Sequence, residues 1–330
     1  MKQTIWFKKT PYIHSYSSVV GPKEANGPLG GYFDIKLKDD KNNQKTYEMS
    51  ESTMQVQAIK LAVINGDLKE CDIGVIISGD LTNEITCSSF AARAFPIPFL
   101  GMYDACSTFG EAVIVASALI SGGFMDKAAC VTSSHFSSIE RQFRYPLELG
   151  TQPTPTSQWT VTGAGCSILS SQGGNIAVEC ATIGKVVDMG ITDANNMGAA
   201  MAPAAADTML RHLEETGRGI DYYDYIFTGD LGKFGKTLFV DLLDKAGINV
   251  KSNYNDCGAM IYDDEKSVQG GSGAGCVSTV FNSFILKELM TEPGCKLLLI
   301  PTGALLSKVS SLQGETIPSV AHAVSFVNRG

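Results

Sequence analysis

The residue best placed to do covalent chemistry in this sequence is Cys106, in the stretch GMYDACSTFGEAVIVAS (101–117). It follows a turn-prone Asp104 and precedes an apolar run that reads as a helix. A thiol at the start of a helix lies where unpaired backbone N–H groups and the positive end of the helix dipole converge. Those groups favour a thiolate nucleophile. They bind a carboxylate equally well. Residue type and position therefore leave open acyl transfer at the sulfur, anion binding at the amides, and plain packing.

Acyl transfer with condensation needs a base, or hydrogen-bond donors that stabilise an enolate oxygen. The chain has four histidines, His14, His135, His212 and His322. His14 lies near the N-terminus, and His212 is expected on a surface helix, AADTMLRHLEETG. His135 follows the strand AACVTSSH and is expected to face a pocket; His322, in SVAHAVSFV, reads as a core residue. The nine cysteines include no CxxC pair and lie mostly in apolar stretches. That pattern predicts buried free thiols in a reducing compartment, with no disulfide framework and no zinc site.

The elements that must position Cys106 come in a repeat. CDIGVIISGDL (71–81) and YDYIFTGDL (223–231) are apolar strand patterns with the same Gly-Asp-Leu ending. Each is followed by small residues, an apolar helix and another strand: DACSTFGEAVIVASALISGGFMDKAACVTSSH in one case, GGSGAGCVSTVFNSFILKELMTEPGCKLLLIPTGA in the other. This predicts an α/β duplication with an N-terminal half over 1–174 and a C-terminal half over 175–330, joined near SSQGGN (170–175). Both repeat helices are apolar nearly all round, as at Ala112, Val113, Ile114, Val115 and Ala116. Such helices are buried on every side. The expectation is a five-layer αβαβα sandwich, with the small residues of GGSGAG letting the two central helices approach. A helix over 50–67 is expected with Ser50 as its cap, and another over 236–250 with Gly247 as its stop.

Composition excludes other classes. The chain has 330 residues, 44% hydrophobic, with a net charge of −8 and no basic run; nucleic acid is not an expected partner. AVIVASALISGGFM (112–125) is too short to span a bilayer, and VQGGSGAGCVSTVFNSFIL is too polar. MKQTIWFKK lacks the apolar core of a signal peptide. The chain is expected to be soluble, or attached to a membrane from outside.

A duplicated βαβ body with DACST opening a buried helix resembles the thiolase superfamily, which includes the ketoacyl synthases. That resemblance implies that Cys106 corresponds to the acyl-accepting cysteine. Its two usual partners, His-His or His-Asn, fall at IFTGDLG and GGSGAG, which here supply Thr228, Gly229, Asp230 and Gly271, Ser272, Gly273. Neither loop carries a histidine, and the second carries no asparagine. An ionised Asp230 beside Cys106 would raise the thiol pKa. The usual condensing triad is therefore not expected.

SSVVGPKEANGPLGGYFD (17–34), RQFRYP (141–146), QWTVTGAG (158–165), MGAAMAPAAADT (197–208), TGALLS (302–307) and IPSVAHAV (317–324) together resemble the stage V sporulation protein AD family. This resemblance spans essentially the whole chain. It implies a thiolase-like fold used for binding, with dipicolinic acid (pyridine-2,6-dicarboxylate), free or as its calcium chelate, as the ligand. It also implies a role in loading that ligand into the developing spore with small membrane proteins of the same operon. A homodimer is implied, located on the forespore cytosolic side of the inner spore membrane, with no cofactor and no metal of its own. The ligand site it points to is Cys106, His135, Thr228, Gly229, Asp230, Ser272, Gly273, Thr302 and Gly303, with the amides at Cys106, Ser272 and Gly273 holding one carboxylate. Arg141 and Arg144 read either as a carboxylate fork or as a solvated or dimer-facing pair. After ordering costs, micromolar or weaker affinity is expected, ~−8 kcal/mol at best. The alternative is an acyltransferase using Cys106; a membrane scaffold whose pocket is silent is a third reading.

Overall fold

The structure is a computed structural model that describes residues 2–143, 153–250, 252–263 and 267–330. In the first half the main strands are β1 (Tyr12–Val20), β2 (Val75–Gly79), β3 (Phe99–Gly101), β4 (Lys127–Ser134) and β5 (Gly163–Ser170). In the second they are β6 (Ile176–Thr182), β7 (Tyr225–Thr228), β8 (Tyr254–Asp256), β9 (Lys296–Ile300) and β10 (Ala323–Asn328). The first half is ordered β3-β2-β4-β5-β1 and the second β8-β7-β9-β10-β6. Taken in chain order, the two arrangements are the same. The strand directions repeat too: β2 is parallel to β3 and β4, as β7 is to β8 and β9, while the remaining pairs are antiparallel. The halves join where Tyr12 and Ile13 of β1 pair with Ala177 and Ile176 of β6.

Period-two alternation divides the apolar side chains among three cores. Val75 and Ile77 of β2 and Leu297 and Leu299 of β9 point into a shared central core. That core holds helix α2 (Thr108–Ser121) through Phe109 and Ala112, and helix α5 (Ala274–Val280) through Val277 and Val280. Ile76 faces an outer core with Met54 and Ile59 of helix α1 (Tyr47–Asn65). Leu298 and Ile300 face the opposite outer core, with Met209 of α3 (Met197–Thr216) and Phe239 of α4 (Gly232–Lys245). The layers are thus helix, sheet, central helices, sheet, helix. Strands such as β2, buried at all five positions, have no polar face because helices cover both sides.

Three local expectations are corrected. The cap of α1 is Thr46, whose side chain accepts from the Met49 N–H; Ser50 lies inside the helix and donates to the Asp40 carbonyl at 2.8 Å. Helix α4 begins earlier than expected and ends at Lys245, before Gly247 turns the chain with φ +81°. The glycines of GGSGAG serve approach to the sheet: a Cβ on Gly275 would lie 2.4 Å from the Gly163 carbonyl oxygen and 2.9 Å from the Ser134 nitrogen. Contact between α2 and the start of the second central helical segment includes the rings of Phe109 and Phe281, 5.5 Å apart. Among the described residues, no helix is long and apolar enough to cross a membrane.

Candidate functional site

Helix α2 starts at Thr108, so Cys106 sits in the turn before it and not in its first turn. The turn is built from its own side chains. The Thr108 hydroxyl donates to the Ala105 carbonyl at 2.6 Å and accepts from the Asp104 N–H at 3.0 Å. The Ser107 hydroxyl bonds to the Asp104 carboxylate. Ala105 is held at φ +49°, a left-handed conformation that costs a non-glycine residue about 1–2 kcal/mol. The Asp104 carboxylate is in turn fixed by His322 Nε2, 2.7 Å away. The Gly184 N–H donates to His322 Nδ1 at 3.1 Å, which places the imidazole proton on Nε2, toward Asp104.

This turn supports a cavity of about 460 Å³, with Cys106 and Ser272 among its lining residues. Directly behind them lies Asp230, which is 1% exposed. Its carboxyl accepts from the Gly273 N–H at 2.9 Å and from the Thr302 hydroxyl at 2.8 Å, and it hydrogen-bonds the Cys106 thiol. Burial pushes the Asp230 carboxyl up to about 7, against the pull of those three donors. Cys106 is raised well above the ordinary thiol value, first by burial and then by the Asp230 charge and hydrogen bond, with the Gly273 N–H opposing. The thiol is protonated at neutral pH and is not an activated nucleophile. Gln158 locks the layer beneath: its amide N–H₂ donates to the Asp230 carbonyl at 2.6 Å and the Gly271 carbonyl at 3.0 Å.

Of the residues expected at the site, Cys106 and Ser272 reach the cavity wall. Asp230, Gly273 and Thr302 form the layer beneath them. The Gly273 amide does not stand free for a ligand carboxylate, because an internal carboxyl already takes its proton donor. Thr228 is occupied by Asp256, to which it donates at 2.6 Å. Gly229 packs against Pro301 and Thr302, and Gly303 lets its strand approach the Cys106 turn, since a Cβ there would meet the Asp104 carbonyl oxygen at 2.4 Å. His135 does not line the cavity: Nε2 bonds the Asp40 carbonyl at 2.7 Å, Nδ1 accepts from the Ser137 N–H, and burial lowers its pKa. His212 is buried, not on the surface, between Thr182 at 2.7 Å and the Tyr223 hydroxyl at 2.6 Å. Arg141 pairs with Glu48, away from the cavity lining, and Arg144 lies outside the described residues.

Sequence reasoning missed three contributors. His322 is buried, as its apolar stretch suggests, but its ring also holds the Cys106 turn from 218 positions away from Asp104. Gln158 and Glu140 also line the cavity; Glu140 accepts from Thr160 at 3.0 Å. A polar Gln immediately before a strand, in QWTVTGAG, was the available signal for the second of these.

Gly273 has φ +109° and ψ +161°, a conformation open essentially to glycine alone, and a Cβ there would lie 2.5 Å from Ser134 Oγ. Gly273→Ala is expected to destabilise the fold by about 2–4 kcal/mol, read as a fall in the denaturant midpoint at unchanged slope. An unchanged midpoint would show that the loop is not held as described.

The duplicated layers and the cysteine turn define a thiolase-like protein. Solved structures with this architecture include Xanthomonas campestris OleA, with a TM-score of 0.66 at 14% identity over 98% of this chain and 99% of that one. Another is the tetronic acid condensing enzyme AbyA1, with a TM-score of 0.63 at 16% identity over 97% of this chain and 100% of that one. At those identities the likeness is one of fold. The chain belongs to the Stage V sporulation protein AD (SpoVAD) family, which matches residues 1–327. It is 43% identical over 330 residues to Stage V sporulation protein AD of Bacillus subtilis (strain 168), covering 100% of this chain and 98% of that protein.

Proposed function

We propose that this chain is a non-catalytic binding protein for dipicolinic acid and takes part in moving that ligand into the developing spore, together with membrane proteins of the stage V sporulation A operon. The observation that carries the reading is the buried Asp230 carboxyl, hydrogen-bonded to Cys106 and to the Gly273 N–H, under a cavity of ligand size. A condensing centre needs a base and oxyanion donors beside its cysteine. Here a buried carboxyl takes the neighbouring N–H instead. The cavity wall combines apolar side chains such as Ile139 and Leu306, suited to a flat ring, with the hydroxyls of Thr154 and Ser272.

Among the described residues no Lys, Arg or His lines the cavity, whereas Glu140 does. A bare dianion meets no compensating charge from the described residues there. The calcium chelate suits the wall better, because the metal neutralises the ligand's charge before it meets a wall that carries Glu140. The exposed Leu100 on edge strand β3 and the exposed Phe90 nearby support a homodimer paired through that edge. The working location is the forespore face of the inner spore membrane, with peripheral attachment.

Calorimetry with dipicolinate tests the reading. Micromolar-order binding is expected, strengthened about tenfold by equimolar calcium. Absence of both heat and thermal shift, with and without calcium, would remove dipicolinate as the ligand.

A further inference from the structure

We propose that Asp230 is a charge gate beneath the cavity floor: an anionic ligand is held over Cys106 and Ser272 while the Asp230 carboxyl carries its proton, and is expelled when that proton leaves. The inference rests on the anion-binding reading above and names the residue that limits it. Asp230 does not line the cavity, so it acts through the floor as a positioning residue.

The geometry sets up the gate. The carboxyl is 1% exposed, and its two oxygens receive only neutral donors, the Gly273 N–H, the Thr302 hydroxyl and the Cys106 thiol. The ionisable groups around it are Cys106 from the turn before α2, Asp256 of β8, Cys257 just after it, and Cys276 of α5. Asp104 lies on the far side of Cys106. None of these is a cation. Among the described residues, an ionised Asp230 is therefore an uncompensated negative charge immediately behind the residues a ligand touches. In a cavity partly shielded from water, a ligand carboxylate at that floor is repelled. The protonated carboxyl carries no such charge; it can still accept from the Gly273 N–H through one oxygen, while its O–H donates to the Thr302 hydroxyl, which is able to reverse its role. Burial brings its proton loss to about 7, within the range where a dicarboxylate ligand stays fully ionised.

The test is calorimetry with two probes, dipicolinate and benzene-1,3-dicarboxylate, at about pH 6 and about pH 8.5 in chelator, on the wild-type chain, Asp230→Asn and Thr302→Val. The wild type should lose about tenfold or more in affinity between the two conditions. Asp230→Asn preserves the side-chain shape and still accepts from the Gly273 N–H, so its affinity should be independent of pH. Thr302→Val removes a donor that favours the charged form, so its midpoint should move to higher pH. Circular dichroism verifies that each variant is folded. In the ligand-free chain, Glu24 and Glu51 also lose protons over this interval, so the wild-type minus Asp230→Asn infrared difference should show one protonated-carboxyl band that vanishes as pH rises. Parallel affinity loss in wild type and Asp230→Asn, an infrared titration identical in the two, or binding of neither probe at any pH would overturn the gate. Failure of dipicolinate alone, with benzene-1,3-dicarboxylate showing the Asp230-dependent profile, would leave the gate standing and remove only the ligand assignment.

Discussion

At about pH 8 a small alkylating reagent will modify Cys71 at least ~100-fold faster than Cys106, measured by peptide mass spectrometry. Cys71 is exposed. Cys106 opens onto a cavity of about 460 Å³, so a small reagent can reach it; the thiolate is what is scarce. Burial raises its pKa well above the ordinary value, and the neighbouring Asp230 raises it further through charge and hydrogen bond. Each unit of that rise removes tenfold of the reactive form. Asp230→Ala should accelerate alkylation of Cys106 and leave Cys71 unchanged. By the same argument, incubation with acyl thioesters will leave no adduct on Cys106. A stable acyl adduct there would establish the acyltransferase reading instead.

Stability will fall as pH rises from about 6.5 to about 8.5, by on the order of 3 kcal/mol. Three fully buried carboxyls drive this. Glu24, bonded to the Tyr262 hydroxyl and the Thr162 N–H, is pushed up to about 7 by burial. Glu51, which accepts from Ser133 and Ser138, is pushed up to about 8 by burial and by the Asp80 charge. Asp230 is pushed up to about 7 by burial. In each case the native state holds a proton that the unfolded chain has already released, so the stability contributed is present at low pH and is lost as pH passes the folded value. Below about 6.5 the sign is opposed by His212, which burial lowers to about 4, and by His135, also lowered by burial. Denaturant titrations across the range should show the decline, and Glu24→Gln should flatten part of it. A stability that climbs between about 6.5 and about 8.5 would contradict these assignments.

The layered fold was legible because burial on two faces leaves a plain mark: consecutive apolar residues in VIISG and AVIVA, with the same Gly-Asp-Leu punctuation in each half. That punctuation places Asp80 after β2 and Asp230 after β7. The placement of Cys106 just before a buried helix was legible from its turn and the apolar run that follows. What was hidden depends on contacts between segments distant in the chain. Nothing local to SVAHAV tells that His322 reaches Asp104, or that the Gly273 N–H is taken by Asp230. His135 looked available because it ends a strand, but its neighbours Asp40 and Ser137 satisfy both ring nitrogens. His212 lies in a stretch rich in charge, yet its own position on α3 turns inward to Thr182 and Tyr223. Arg141 carried no signal for its partner Glu48, which belongs to a different helix.

The most direct measurement is a crystal structure of the chain grown at about pH 6 with calcium and dipicolinate. The account predicts the planar ligand in the cavity over Cys106 and Ser272, near Glu140, with no bond to the sulfur and with the Asp230–Gly273 hydrogen bond retained. An empty cavity with dipicolinate bound elsewhere, or a ligand joined covalently to Cys106, would contradict it.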